Sequence, residues 1–243
     1  MYPLIDHKHK LGLFYSPKCA CTAVKTYYIT IYYPKLRQEP YNDLYKDYKK
    51  LWIIRNPYER IVSSFIFLYN FLPNYVYKYK DNKFVKWFKK RYCNNQNIDA
   101  SYNQIVSYRR HPSFKNFVKI LEKIDINNVN KHLTPQTRQY NCIDQVSDVE
   151  LVDVKDLNDR LLKLNAELGI NGSIMKLNCT KHNSDVSNVS NVNIRIYTKV
   201  NKKMYPMYKY FYDEELVRSV YNIYKDDFDR FELFAVNWNI LKV

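Results

Sequence analysis

KKLWIIRNPYERIVSSFIFLYNF, residues Lys49 to Phe71, changes its hydrophobic period midway. Leu51 to Ile54 is a continuous apolar run, as expected of a strand buried on both faces of a parallel sheet. Asn56 then offers a helix cap, Pro57 suits the first helical position, and Glu59 brings a carboxylate to the first turn. Beyond it Ile61, Val62, Phe65, Leu68 and Tyr69 recur on one stripe at helical spacing. The stretch therefore predicts strand, short turn and a helix starting at Pro57. Ser63 lies roughly opposite the stripe at about 100° per residue, where helix geometry alone makes it a solvated serine.

A second stretch, LFYSPKCACTAVKTYY (Leu13 to Tyr28), repeats this outline near the start of the chain. Leu11, Leu13, Phe14 and Tyr15 read as a strand, Pro17 and the small residues after it as a turn, and Ala23 onward as helix. A strand-to-helix turn favours anions, because free backbone N–H groups and the helix dipole both point positive charge at it. The Walker pattern GxxxxGK[ST] is absent, and the chain has only 3 glycines. Two such units predict an α/β fold, a single domain over residues 1–243 with a mainly parallel central sheet flanked by helices.

Composition is compatible with one sizeable core. The chain has 243 residues, 46% of them apolar, and 25 tyrosines argue against disorder. No run of about 18 apolar residues occurs, and MYPLIDHKHK lacks the apolar centre of a signal peptide, so a cytoplasmic, soluble chain is expected. Cys19, Cys21, Cys93, Cys142 and Cys179 are an odd, scattered set read as reduced thiols, and the sequons at Asn171, Asn178 and Asn188 are discounted accordingly. Scarce Gly with abundant Lys, Asn, Tyr and Ile resembles the product of an AT-rich genome, such as that of a protist or a large DNA virus. The net charge of +15 draws anions, and leaves nucleic acid, anionic membrane, a phosphorylated cofactor and an acidic polysaccharide open.

Elsewhere, Tyr75 to Cys93 interleaves seven Lys and Arg residues with aromatics, a basic helix or polyanion groove. Asn178 to Asn193 reads as loop. Leu216, Val217, Val220, Tyr221, Tyr224 and Phe228 share one face of a closing helix.

These pieces, in this order, resemble the carbohydrate sulfotransferases of the family that contains the chondroitin enzymes. SPKCACTAVK resembles that family's 5′-phosphosulfate loop. IIRNPYERIVSSF resembles its 3′-phosphate motif, an Arg followed eight residues later by a Ser. NKHLTPQTRQYNC resembles its His-x-x-Pro-Gln segment, and EELVRSVYNIYKDDFDRFEL its C-terminal helix. Departures are Leu133 where an aromatic is usual, Glu232-Leu233 in place of Gly-Tyr, and the lack of the membrane anchor carried by the Golgi enzymes.

The resemblance implies a P-loop-like fold, 3′-phosphoadenosine 5′-phosphosulfate (PAPS) as donor with adenosine 3′,5′-bisphosphate as product, and no metal. It implies that Pro17, Lys18, Cys19, Ala20, Cys21, Thr22 and Ala23 hold the 5′ end, with Lys18 near the bridging oxygen. Arg55 and Ser63 would hold the 3′-phosphate, which gives a serine off the packing stripe a reason. The acceptor it implies is a glycan or other hydroxyl compound, and nucleic acid is not an expected partner. For the base, His132 lies in the matched segment; His111 and His182 compete, and Glu39, Asp43 and Asp47 form a second pool. Two other classes stay open. A small-molecule kinase lacks the GK[ST] ending, though Lys18 and Thr22 could mimic it, and a binding module would use the basic surface without catalysis.

Overall fold

The computed structural model describes residues 2–32, 37, 38, 40–42, 45–78, 113–128, 131–140, 146, 148–170, 182, 183, 188–192 and 205–232. The chain divides into two compact units. The first joins Met1–Arg60, Lys131–Cys179 and Lys225–Ala235; the second joins Ile61–Asn130, Thr180–Tyr224 and Val236–Val243.

The first unit is built on a five-stranded sheet of order β3-β1-β2-β4-β5. Strand β1 (Leu4–Asp6) turns back antiparallel onto β2 (Leu11–Tyr15), with Leu4 opposite Leu13. The Asp6 carboxylate accepts from the amides of Lys8 and His9, so the hairpin turn is held by its own first residue. Helix α1 (Cys21–Tyr32) leads to β3 (Arg37–Gln38), which pairs β1 at the sheet's edge. Then β4 (Lys49–Ile54) lies parallel to β2, Leu13 opposite Leu51 and Tyr15 opposite Ile53. Strand β5 (Val149–Asp153) continues the parallel run, Trp52 opposite Leu151, and α3 (Leu157–Glu167) follows it. The paired length is thus mainly parallel, as expected. Every residue of β2 is buried, and so is β4 beyond Lys49, which explains why both read as continuous apolar runs.

Alternation splits the core between the sheet's two faces. Leu13, Tyr15, Leu51 and Ile53 pack with Val24 and Tyr27 of α1 and with Leu157, Leu161 and Leu164 of α3. On the other face the Trp52 and Phe231 rings lie 5.0 Å apart and Phe14 and Tyr140 5.2 Å apart, both edge to face.

Helix α2 (Pro57–Lys78) leaves β4 and runs from the first unit into the second. There Phe65 meets Phe114 and Phe117 of α4 (Phe114–Leu121) at 5.4 and 5.2 Å. Phe114 in turn meets Phe211 and Tyr212. Helix α5 (Glu214–Ile223) is capped by the Asp213 carboxylate, which accepts from the Leu216 amide at 2.9 Å. Strands β6 (His182–Asn183) and β7 (Tyr205–Pro206) form a separate parallel pair.

Two boundaries differ from the sequence reading. Helix α1 starts at Cys21 rather than Ala23, because Ala20 turns the chain and its carbonyl takes the first helical bond, from Val24, at 3.0 Å. The closing helix is two: α5 ends at Ile223, Tyr224 follows it with ψ of 27°, and α6 (Lys225–Arg230) starts afresh in the first unit. A shared apolar face survives such a break, so periodicity alone does not reveal it. Lys80 to Cys93, Cys142, Cys179, Asn171, Asn178, His111, Glu39 and Asp43 lie outside the described residues. Among the described residues, no helix is long and apolar enough to cross a membrane.

Candidate functional site

Strands β2 and β4 are parallel neighbours, so the turns that follow them emerge side by side at the carboxyl end of the sheet, where open α/β sheets place ligands. They touch: the Arg55 guanidinium donates from Nη1 to the Lys18 carbonyl at 3.1 Å. Lys18 and Ala20 both adopt left-handed backbone, with φ of 70° and 51°, on either side of Cys19. That costs about 1 to 2 kcal/mol per non-glycine residue, in a chain with only 3 glycines. Alternating backbone of this kind folds amides into a concave anion nest. The α1 amides of Cys21, Thr22 and Ala23 precede the first helical bond and extend the nest. Thr22 is exposed there, and Lys18, Cys21 and Ala23 are half-buried.

Pro17 and Cys19 are buried. The Cys19 amide closes the turn onto the Ser16 carbonyl at 3.0 Å, and its thiol donates to Gln136 Oε1 at 2.9 Å. Burial pushes this thiol up to about 12, so it stays protonated and acts as a structural donor. The Pro17 carbonyl accepts from Arg60 Nε at 3.2 Å.

The second turn is capped as its sequence predicts. Asn56 Oδ1 accepts from the Tyr58 amide at 2.9 Å, and the Arg60 amide donates to the Asn56 carbonyl. Glu59, nearly buried, lies 3.5 Å from Arg55 Nε and 2.9 Å from Lys155 Nζ. Ser63 is half-buried on α2, in the portion assigned to the second unit.

Both turns are fastened by one side chain that the sequence reading passed over. Gln136, fully buried, accepts at Oε1 from Cys19 Sγ and from the Arg55 amide at 2.9 Å each. Its Nε2 donates to the Arg55 carbonyl at 2.8 Å and to Asp227 at 3.3 Å. Asp227 of α6 is itself fully buried, and accepts from the amides of Gln136 and Thr137 and from the Thr137 hydroxyl, each at 2.9 Å. Burial raises its carboxyl above the usual range, opposed by the nearby Arg60 charge and these donors. Tyr140 completes the frame: its hydroxyl accepts from the Tyr15 amide at 2.7 Å and donates to the Tyr15 carbonyl, beyond the last residue that β1 pairs. Gln136, Tyr140 and Asp227 all fall within the quoted motifs, but only a fold brings residues so distant in sequence together.

Charge at the site is positive and partly stripped of water. Burial, then Arg55 and Arg60, hold the Lys18 ammonium below its usual value. His132 is half-buried in the turn between Lys131 and Thr134. Burial, followed by Lys18, Lys131 and Arg60, pushes its imidazole down to about 4, so at neutral pH it is an uncharged ring. His182 belongs to β6 in the other unit and Asp47 is exposed.

The donor set fits a phosphosulfate. Besides the nest, Ser16 Oγ is a buried hydroxyl without a hydrogen-bond partner among the described residues. Lys18 and Arg55 supply positive charge beside it, and among the described residues no cluster of His, Cys, Asp and Glu could hold a metal ion.

A family model described as "Sulfotransferase family" matches residues 3–234, nearly the whole chain and both of its units. No curated protein and no solved structure matches it.

Proposed function

Because the chain belongs to the sulfotransferase family, we propose that it transfers a sulfuryl group from PAPS to a hydroxyl of a glycan, with both units serving as one domain. The observation that carries this reading is the contact between the two turns, with Arg55 on the Lys18 carbonyl at the carboxyl ends of adjacent parallel strands.

When bound, PAPS supplies the sulfuryl group and leaves as adenosine 3′,5′-bisphosphate. The amides of Cys21, Thr22 and Ala23, with the Thr22 hydroxyl, hold the 5′-phosphate in the nest. Lys18 would hold the sulfuryl end of the donor, where its charge would counter negative charge growing on the leaving group. Arg55 holds the 3′-phosphate as a charge-assisted donor, and Ser63 joins it as the motif's second ligand. His132 accepts the proton of the acceptor hydroxyl, since an uncharged ring in the matched segment can do so. Bound phosphates would raise its basicity from the depressed value of the free protein, because they offset the surrounding cations. In-line positioning and charge stabilisation suffice for this transfer, so no metal enters the reading.

A thermal-shift comparison of adenosine 3′,5′-bisphosphate, ATP and an oligonucleotide tests the donor class, since a ligand stabilises the state it binds. Selective stabilisation by the bisphosphate supports the reading. Selective stabilisation by ATP would favour a kinase, and by the oligonucleotide alone a binding module. Radiolabelled sulfate transfer to a panel of desulfated glycans then tests the acceptor class, and activity confined to small alcohols or peptide tyrosines would reject the glycan.

A further inference from the structure

Lys131 and Thr134 flank His132 by one and two residues, and both their carbonyls are held twice. Arg60 Nη2 donates to the Lys131 carbonyl at 3.3 Å and to the Thr134 carbonyl at 3.0 Å. Gln139 Nε2 donates to the same two oxygens at 2.9 Å each. Both side chains are buried, at 2% and 5% exposure. Through Nε, Arg60 also holds Pro17 of the donor turn. One guanidinium thus spans from the turn that faces the sulfate to the turn that carries the imidazole.

Stability alone is a poor account of this arrangement. A guanidinium withdrawn from water loses much solvation, and what answers it here is three carbonyls and the charge of nearby buried Asp227 rather than a direct ion pair among the described residues. An apolar side chain could fill the same space. It would not fix the distance between the two turns.

We propose that Arg60 and Gln139 are positioning residues that hold His132 in register with the donor turn and act on proton removal through His132. The proposal rests on the reading of His132 as the base. Misplacing a catalytic group by about 1 Å can cost on the order of a hundredfold, so the turn's geometry is worth such a clamp.

The test is a pair of double-mutant cycles in the full chain: Arg60→Lys and Gln139→Met, each alone and with His132→Ala. Turnover, KM for PAPS and calorimetric affinity for adenosine 3′,5′-bisphosphate are measured for each. His132→Ala is expected to lose on the order of a hundredfold or more in turnover. Gln139→Met should lose roughly ten- to a hundredfold in turnover, but less than about threefold in bisphosphate affinity, whereas Arg60→Lys, which also loosens Pro17, should lose turnover and bisphosphate affinity together. In the His132→Ala background Gln139→Met should cost less than about threefold further, because the residue it acts through is gone, and Arg60→Lys should lose less than the product of the two single losses. Full multiplication of the Gln139→Met and His132→Ala losses, or wild-type turnover in the single variants, overturns the proposal while leaving the base assignment standing. Wild-type turnover in His132→Ala removes the base assignment, and this proposal with it. Gln139→Met leaves the Pro17 contact intact, so it carries the test if Arg60→Lys does not fold.

Discussion

The two strand-to-helix turns do the same job by opposite means. The turn after β4 takes its shape locally, with Asn56 capping its own helix, Pro57 setting the first helical residue and Glu59 one turn from Arg55. Gln136 only fastens a backbone of ordinary conformation at Arg55. The turn after β2 is imposed from outside. Left-handed backbone at Lys18 and Ala20 is held by Arg55, Arg60 and Gln136, which come from 37 to 117 residues away. A conformation that its own residues disfavour must be over-determined by its surroundings. The contrast says where substitutions should be felt, and over what distance.

The widest break is expected from Gln136→Leu. It strips donors and acceptors from both turns and a partner from buried Asp227, and should cost about 2 to 4 kcal/mol of stability with loss of bisphosphate binding. Urea unfolding at wild-type stability would show that neither turn depends on the clamp. Lys18→Met separates chemistry from shape. It should keep the fold and much of the donor affinity yet lose on the order of a hundredfold or more in rate. A stable Lys18→Met protein with wild-type sulfate transfer would end its catalytic role.

Arg55→Ala joins the comparison from the second turn, since that side chain reaches into the first. Donor affinity should fall by about 1.5 to 3 kcal/mol, read by calorimetry with adenosine 3′,5′-bisphosphate; unchanged affinity would reassign it. The pH profile isolates His132. Its folded value near 4 lies below the unfolded one near 6.5, so the unfolded chain takes up the proton first. Stability should fall as pH drops from about 6.5 to 4, and be unaffected by this group above that window. His132→Asn should remove this part of the slope in melting temperature, and an identical slope in both proteins would refute the shift. The smallest effects compare the turns directly. Asn56→Ala should cost about 1 kcal/mol, as loss of a cap does. Ala20→Gly should be neutral or stabilising by up to about 1 kcal/mol, because relief of left-handed backbone outweighs the added freedom of the unfolded chain. A clear destabilisation by Ala20→Gly would mean that the first turn is not strained.

The same contrast governs what could be read from sequence. The strand at Leu51, the cap at Asn56 and the start at Pro57 are local signals, and the structure keeps each of them. At the first turn, the sequence indicated an anion site but not its backbone, because left-handed residues other than glycine leave no mark of their own. Ala20 therefore hid the true start of α1. Arg60 escaped notice because it stands off the apolar stripe of α2, where a charged residue normally meets water; its burial depends on carbonyls contributed by residues 17, 131 and 134. Asp227 lies in the matched C-terminal helix, but its partners Gln136 and Thr137 are about ninety residues away and only the fold supplies them.

Gln136 also sets an order of events. Its partners are Cys19, Arg55 and Asp227, so the clamp has two members near the start of the chain and one near residue 230. Synthesis delivers both donor turns early, and they must wait for most of the chain before the residue that secures them is itself secured. Contacts of such long sequence separation form late, since loop closure has to precede them. A ribosome-bound chain stalled before Asp227 would carry every residue proposed to touch the donor and still lack a finished place to bind it.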